Sequence, residues 1–100
     1  MVSRLKLHKQ LVEIADTDRV YFQAPSKTLT YPCIIYDKNP PRVIRANNKI
    51  YKKKDSYTFT YITKNPDDET PDKFLGLSYC SSDRVYRADG LYHHVFTIFV

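Results

Sequence analysis

Asp89-Gly90 separates two runs of strand-forming residues, 84–88 and 91–100. Both central residues tolerate positive φ, which a two-residue type I′ turn requires because its twist matches that of the strands it joins. The turn sets the pairing: Ala88 opposite Leu91, Arg87 opposite Tyr92, Tyr86 opposite His93. The second arm, Tyr92-His93-His94-Val95-Phe96-Thr97-Ile98-Phe99-Val100, is apolar on both faces for much of its length. Such a strand belongs inside a sheet or beneath a neighbouring subunit.

A second strand signal lies at 56–63. Tyr57, Phe59 and Tyr61 point one way, and Thr58, Thr60 and Ile62 the other. Residues 19–24 predict a short strand, ended by Pro25-Ser26-Lys27. Cys33-Ile34-Ile35-Tyr36, entered from Pro32, is apolar on both faces, so it predicts a strand buried on both sides or at a subunit contact. Asn39-Pro40-Pro41 ends it, since proline removes a donor and restricts the residue before it.

Two helices complete the pattern. Leu7, Leu11 and Ile14 fall on one stripe of a helix over 4–15, with Ser3 as N-cap. Thr70-Pro71 predicts an N-cap followed by a first-turn proline, with Glu69 and Asp72 at the positive end of the helix dipole. This helix is expected to run to about Cys80, with Phe74 and Leu77 inward and Gly76 weakening it. The fold class is α+β: an antiparallel or mixed sheet of four to five strands, with two helices on one face and a projecting basic β-hairpin. At 100 residues, the whole of 1–100 is one domain.

The hairpin carries the charge. Net charge is +5, which brings nucleic acid or an acidic protein surface to mind. Residues 38–54 hold seven basic side chains (Lys38, Arg42, Arg45, Lys49, Lys52, Lys53, Lys54) and no acidic one, leaving nine basic against eleven acidic elsewhere. Asn47-Asn48 suits a tight turn between strand-like flanks, so residues 42–52 fold on paper into the hairpin. Asp67, Asp68, Glu69 and Asp72 form an acidic cluster, so the chain is bipolar.

Little in the sequence points to catalysis. His93 and His94 are adjacent in a strand, face opposite ways and cannot share one metal. One is expected in or near the core, the other toward solvent or a partner. Two cysteines are too few for a disulfide scaffold or a cysteine-rich zinc site, and Cys33 sits in an apolar strand that makes a thiol inert. With only Gly76 and Gly90, no phosphate-cradling glycine loop can be written. The carboxylates cluster at turns and a helix N-terminus, where capping explains them. No enzyme activity, metal or cofactor is expected. Apolar runs reach only three or four residues, too short to span a membrane, and the first residues show no secretory signal pattern.

Three strings carry a resemblance. They are Tyr31-Pro32-Cys33-Ile34-Ile35-Tyr36; Arg45-Ala46-Asn47-Asn48-Lys49-Ile50-Tyr51 followed by Asp55-Ser56-Tyr57-Thr58-Phe59-Thr60-Tyr61-Ile62-Thr63-Lys64; and Asp89-Gly90-Leu91-Tyr92-His93 entering the last strand. In this order, over about residues 5–100, the chain resembles the tail terminator, or tail-completion, proteins of tailed bacteriophages. Asn47 stands where that family often has Asp. The resemblance implies a structural virion protein of the tail or neck, assembled in the host cytoplasm. It implies a homo-oligomeric ring, commonly a hexamer, that caps the head-proximal end of the tail tube and meets a head-closure protein. Double-stranded DNA would pass through the lumen without sequence-specific binding.

Within that scheme the apolar strands supply the expected subunit or tube contacts: Cys33, Ile34, Ile35 and Tyr36 in one, and Tyr92, Val95, Phe96, Ile98 and Phe99 in the other. Arg42, Arg45, Lys49, Lys52, Lys53 and Lys54 are expected to dock on an acidic protein surface, because a strongly basic lumen would hold DNA rather than let it slide. The alternatives are another head–tail connector part, such as a head-completion or stopper protein, and a small basic nucleic-acid-binding module.

Overall fold

The structure, a computed structural model, describes residues 4–23, 29–46 and 49–99. In chain order the elements are α1 (Arg4–Ala15), β1 (Val20–Phe22), β2 (Cys33–Lys38), β3 (Arg42–Ala46), β4 (Lys49–Lys54), β5 (Ser56–Thr63), α2 (Thr70–Phe74), β6 (Cys80–Ala88) and β7 (Leu91–Phe99). Five strands form one mixed sheet in the order β1-β2-β5-β7-β6, and β3 and β4 form a separate two-stranded sheet. The fold is α+β. Among the described residues only β1 and β2 run parallel; the other neighbours are antiparallel.

The alternation read in residues 56–63 becomes the centre of the core. Phe59 and Tyr61 on β5, Ile34 and Tyr36 on β2, and Phe96 and Ile98 on β7 are buried with Leu7 and Leu11 of α1 and Phe74 of α2. Helix α1 forms because one stripe of leucines finds this surface; alone, twelve residues are marginal. Val20 joins the same cluster, and the Arg19 carbonyl accepts from the Ile34 N–H at 2.9 Å, which sets β1 beside β2.

The closing hairpin has the expected register, with Ala88 opposite Leu91 and Tyr86 opposite His93. Asp89 and Gly90 have φ of 53° and 73°, as a type I′ turn demands. Its first arm begins earlier than the apolar pattern suggests, at Cys80, and reaches Arg84 through an irregularity in register between Ser82 and Arg84. Likewise β2 runs on to Lys38 and β4 to Lys54, while β1 stops at Phe22; Ser3, Ala24, the Asn47-Asn48 turn and Val100 lie outside the described residues.

Two expectations fail at the second helix. It is five residues long, ending at Phe74 rather than near Cys80. After Phe74 the chain tightens into three-residue spacing, with Leu75 N–H donating to the Asp72 carbonyl and Gly76 N–H to the Lys73 carbonyl. Gly76 disfavours continuation, and Tyr79, at φ 61°, redirects the chain into β6. The N-cap position is Glu69, with no side-chain cap, rather than Thr70. The Thr70 N–H is instead satisfied by Asp68 Oδ1 at 2.9 Å.

Candidate docking surface

The hairpin leaves the main sheet at a tied base. The Asn39 N–H donates to the Ser56 carbonyl at 3.0 Å, and Asn39 Nδ2 to Ser56 Oγ at 3.1 Å. Thr58 Oγ1 donates to Asn39 Oδ1 at 2.8 Å. One asparagine thus holds the end of β2 against the start of β5, and Pro40-Pro41 carries the chain off into β3. Ser56 is buried at this point.

Beyond the base, β3 and β4 pair antiparallel, with Arg42 opposite Lys54, Val43 opposite Lys53, Ile44 opposite Lys52 and Ala46 opposite Lys49. Arg42, Arg45, Lys49 and Lys54 are exposed. Arg42 and Lys54 are like charges directly across from each other, an arrangement that costs stability in a hairpin and that an anionic partner would relieve. The molecule is 50 Å long and 23 Å across in both other directions. The eight residues of β5 and the six of β4, placed end to end at ~3.4 Å per residue, account for roughly 47 Å. The hairpin therefore extends the long axis instead of folding back on the body.

The acidic cluster sits at the far end of β5. Asp68 is fixed there: it accepts from the Tyr61 hydroxyl at 2.7 Å, from Thr63 Oγ1 at 3.1 Å and from the Thr70 N–H. Asn65 Oδ1 accepts from the Asp67 N–H at 3.0 Å, tightening the same turn. Asp67, Glu69 and Asp72 are exposed. Asp68 does more than serve the helix start: besides taking the Thr70 N–H, its carboxylate holds Tyr61 and Thr63 and so organises the turn. The signal for this was Asn65-Pro66-Asp67-Asp68 directly after a strand carrying Tyr and Thr, because short polar side chains there compete for the backbone.

The other expected contact residues lie elsewhere. Cys33, Ile34, Tyr36, Phe96 and Ile98 are buried in the chain's own fold, as is Val95, while Ile35, Tyr92 and Phe99 are partly exposed. The apolarity of β2 and β7 is thus largely used within the chain's own fold. Exposed large apolar side chains are spread over the molecule, at Leu5, Phe22, Val43, Leu75, Tyr79, Val85 and Tyr86, the last two forming a small group on the edge strand β6. Sequence pattern missed this group because β6 reads as polar and mixed.

The two histidines diverge as strand geometry requires. His93 stacks on Tyr86, ring centres 4.6 Å apart. His94 lies opposite Tyr61, ring centres 6.4 Å apart, and its Nε2 is buried without a hydrogen-bond partner. Both are partly buried, His94 on the side of Tyr61 and His93 against Tyr86. Among the described residues, no three His, Cys, Asp or Glu side chains gather to hold a metal. Burial pushes the Cys33 thiol up against the pull of Arg19, and pushes Cys80 up to about 11 with help from Asp83. No described helix is long and apolar enough to cross a membrane.

His94 yields a pH prediction. Burial holds its imidazole below the ordinary 6.5, with His93 acting the same way and Asp68 and Asp72 opposing. The folded value is depressed, so the unfolded chain binds the proton more readily. The stability this neutral ring contributes is complete above the ordinary value and declines as pH falls below it. Wild type should therefore melt lower at about pH 5.5 than at 7.5, and His94→Gln should narrow that gap; equal gaps would contradict the assignment.

No family model matches this chain, and a search of curated proteins returns no match.

Proposed function

We propose that this protein is a structural assembly subunit of the tail-terminator kind. Copies form a ring that caps a phage tail tube, ends its polymerisation and presents a surface to a head-closure protein, with DNA passing through and no reaction catalysed. The observation that carries the reading is the basic hairpin: a two-stranded sheet of its own, tied at its base by Asn39 and extended along a 50 Å molecule. A lone two-stranded hairpin is marginal in water, so one built this way makes sense when a partner completes it. The order of the three strings at 31–36, 45–64 and 89–93 supports the same reading.

The hairpin's cations also favour one alternative, a small nucleic-acid-binding module. The two separate cleanly. Native mass spectrometry of the purified protein, alone and with a tail tube protein, should give a discrete closed oligomer. A monomer in both conditions overturns the ring. Titration with duplex DNA between about 50 and 200 mM salt tests the alternative, which requires affinity to fall by several powers of ten.

A further inference from the structure

The two charged poles of this molecule lie at opposite ends of one strand. Lys54 is two residues before β5 begins at Ser56, and Asp67 is four residues after β5 ends at Thr63. The cationic hairpin and the acidic turn are therefore separated by the full length of β5, roughly 27 Å, before the hairpin adds its own reach in the other direction. The hairpin cannot neutralise the acidic turn of its own chain. Every other copy, however, offers that turn with Asp67, Glu69 and Asp72 exposed and the backbone held by Asp68.

We propose that the hairpin of one copy docks on the 67–72 turn of the next, so that copies associate head to tail. The proposal rests on the assembly reading and names the partner of its hairpin: a second copy of this chain. Arg42, Arg45, Lys49 and Lys54 meet Asp67, Glu69 and Asp72. The contact is heterologous, since each copy gives one pole and receives the other; it closes into a ring when the rotation per step divides a full turn. Opposed like charges such as Arg42 and Lys54 become favourable once carboxylates lie between them. Both surfaces are solvent-exposed, so the contact is salt-sensitive.

Charge exchange tests it. One variant reverses the hairpin (Arg45→Glu/Lys49→Glu/Lys54→Glu), a second reverses the turn (Asp67→Lys/Glu69→Lys/Asp72→Lys), and a third carries both sets. Asp68 stays in all of them, and a milder turn variant, Asp67→Asn/Glu69→Gln, serves if the full reversal melts early. Each is weighed by light scattering and native mass spectrometry at low and high salt. Wild type should assemble and weaken about tenfold or more between 50 and 500 mM salt. Each single reversal should be monomeric, and a one-to-one mixture of the two should assemble, as should the double reversal. Single reversals that assemble like wild type overturn this docking while leaving the ring standing. Reversals that abolish assembly without rescue in the mixture also overturn it, because the hairpin and the turn then do not face each other in the contact. A wild type that is monomeric at every salt concentration removes both the docking and the ring.

Discussion

Phe59→Ala should lower the unfolding free energy by about 3–5 kcal/mol, measured by urea denaturation with circular dichroism. The ring is fully buried on the middle strand of the sheet. It stacks on Phe96 with centres 5.0 Å apart and meets Phe74 edge-on at 5.1 Å. Two elements that approach from different directions thus share one side chain, so its removal leaves a cavity that neither can close. Domains of this size have only about 5–15 kcal/mol in total, so the variant should be visibly destabilised near body temperature. Phe59→Leu keeps much of the volume and should cost clearly less. Tyr79→Ala, at a position 81% exposed, should change stability by no more than about 0.5 kcal/mol. Equal losses in all three would mean that the core is not organised around this stack.

Asp68→Ala should cost about 2–4 kcal/mol, because it strands two hydroxyls and a backbone N–H at once. Tyr61, 2% exposed, loses its acceptor, as does the buried Thr63 hydroxyl. Burial foremost, then the neighbouring carboxylate, pushes the Tyr61 hydroxyl up to about 12. Burial pushes Asp68 upward too, but hydrogen bonds from Tyr61, Thr70 and Thr63 outweigh it and hold the carboxyl below its ordinary 3.8. The folded value lies below the unfolded one, so this carboxylate contributes stability that is present above the ordinary value and is lost as pH falls through the folded one. The acid limb of wild-type stability should be steeper than that of Asp68→Asn, read as the urea midpoint from about pH 5 down to 2. Parallel limbs would show that some other carboxylate controls acid unfolding.

Much of this architecture was legible because local chemistry and tertiary need agree. The Asp89-Gly90 turn, the alternation at 57–61 and the leucine stripe at 7 and 11 each describe a surface that the fold then buries. The second helix was misread where they disagree. Thr70-Pro71 is a good start signal and Leu77 does pack against the core as its spacing suggests, but Gly76 favours release and the chain reaches Leu77 through a tighter turn than an α-helix. The apolar runs at 33–36 and 92–99 were legible as buried; what buries them is a long-range matter of strand order that a local pattern does not carry. Of the candidate docking surface, the cations and their segregation are explicit in the sequence. Their separation from the acidic turn by the whole of β5 follows only once that strand connects them. The second role of Asp68 was hidden because a carboxylate beside a helix start looks like a cap whether or not it also bonds the strand behind it.

The place of β7 has a consequence for how this chain comes to be folded. It lies between β5 and β6, which have no direct pairing with each other. Until residues 91–99 are in place, β5 has one bare edge, β6 has no partner in the sheet, and Phe59 lacks the ring on which it stacks. The chain cannot complete its sheet in the order it is synthesised. Helix α1, made before the strands it packs on, must keep Leu7 and Leu11 waiting for partners that arrive dozens of residues later. Completion of the sheet is gated by β7, which follows in sequence both strands it joins.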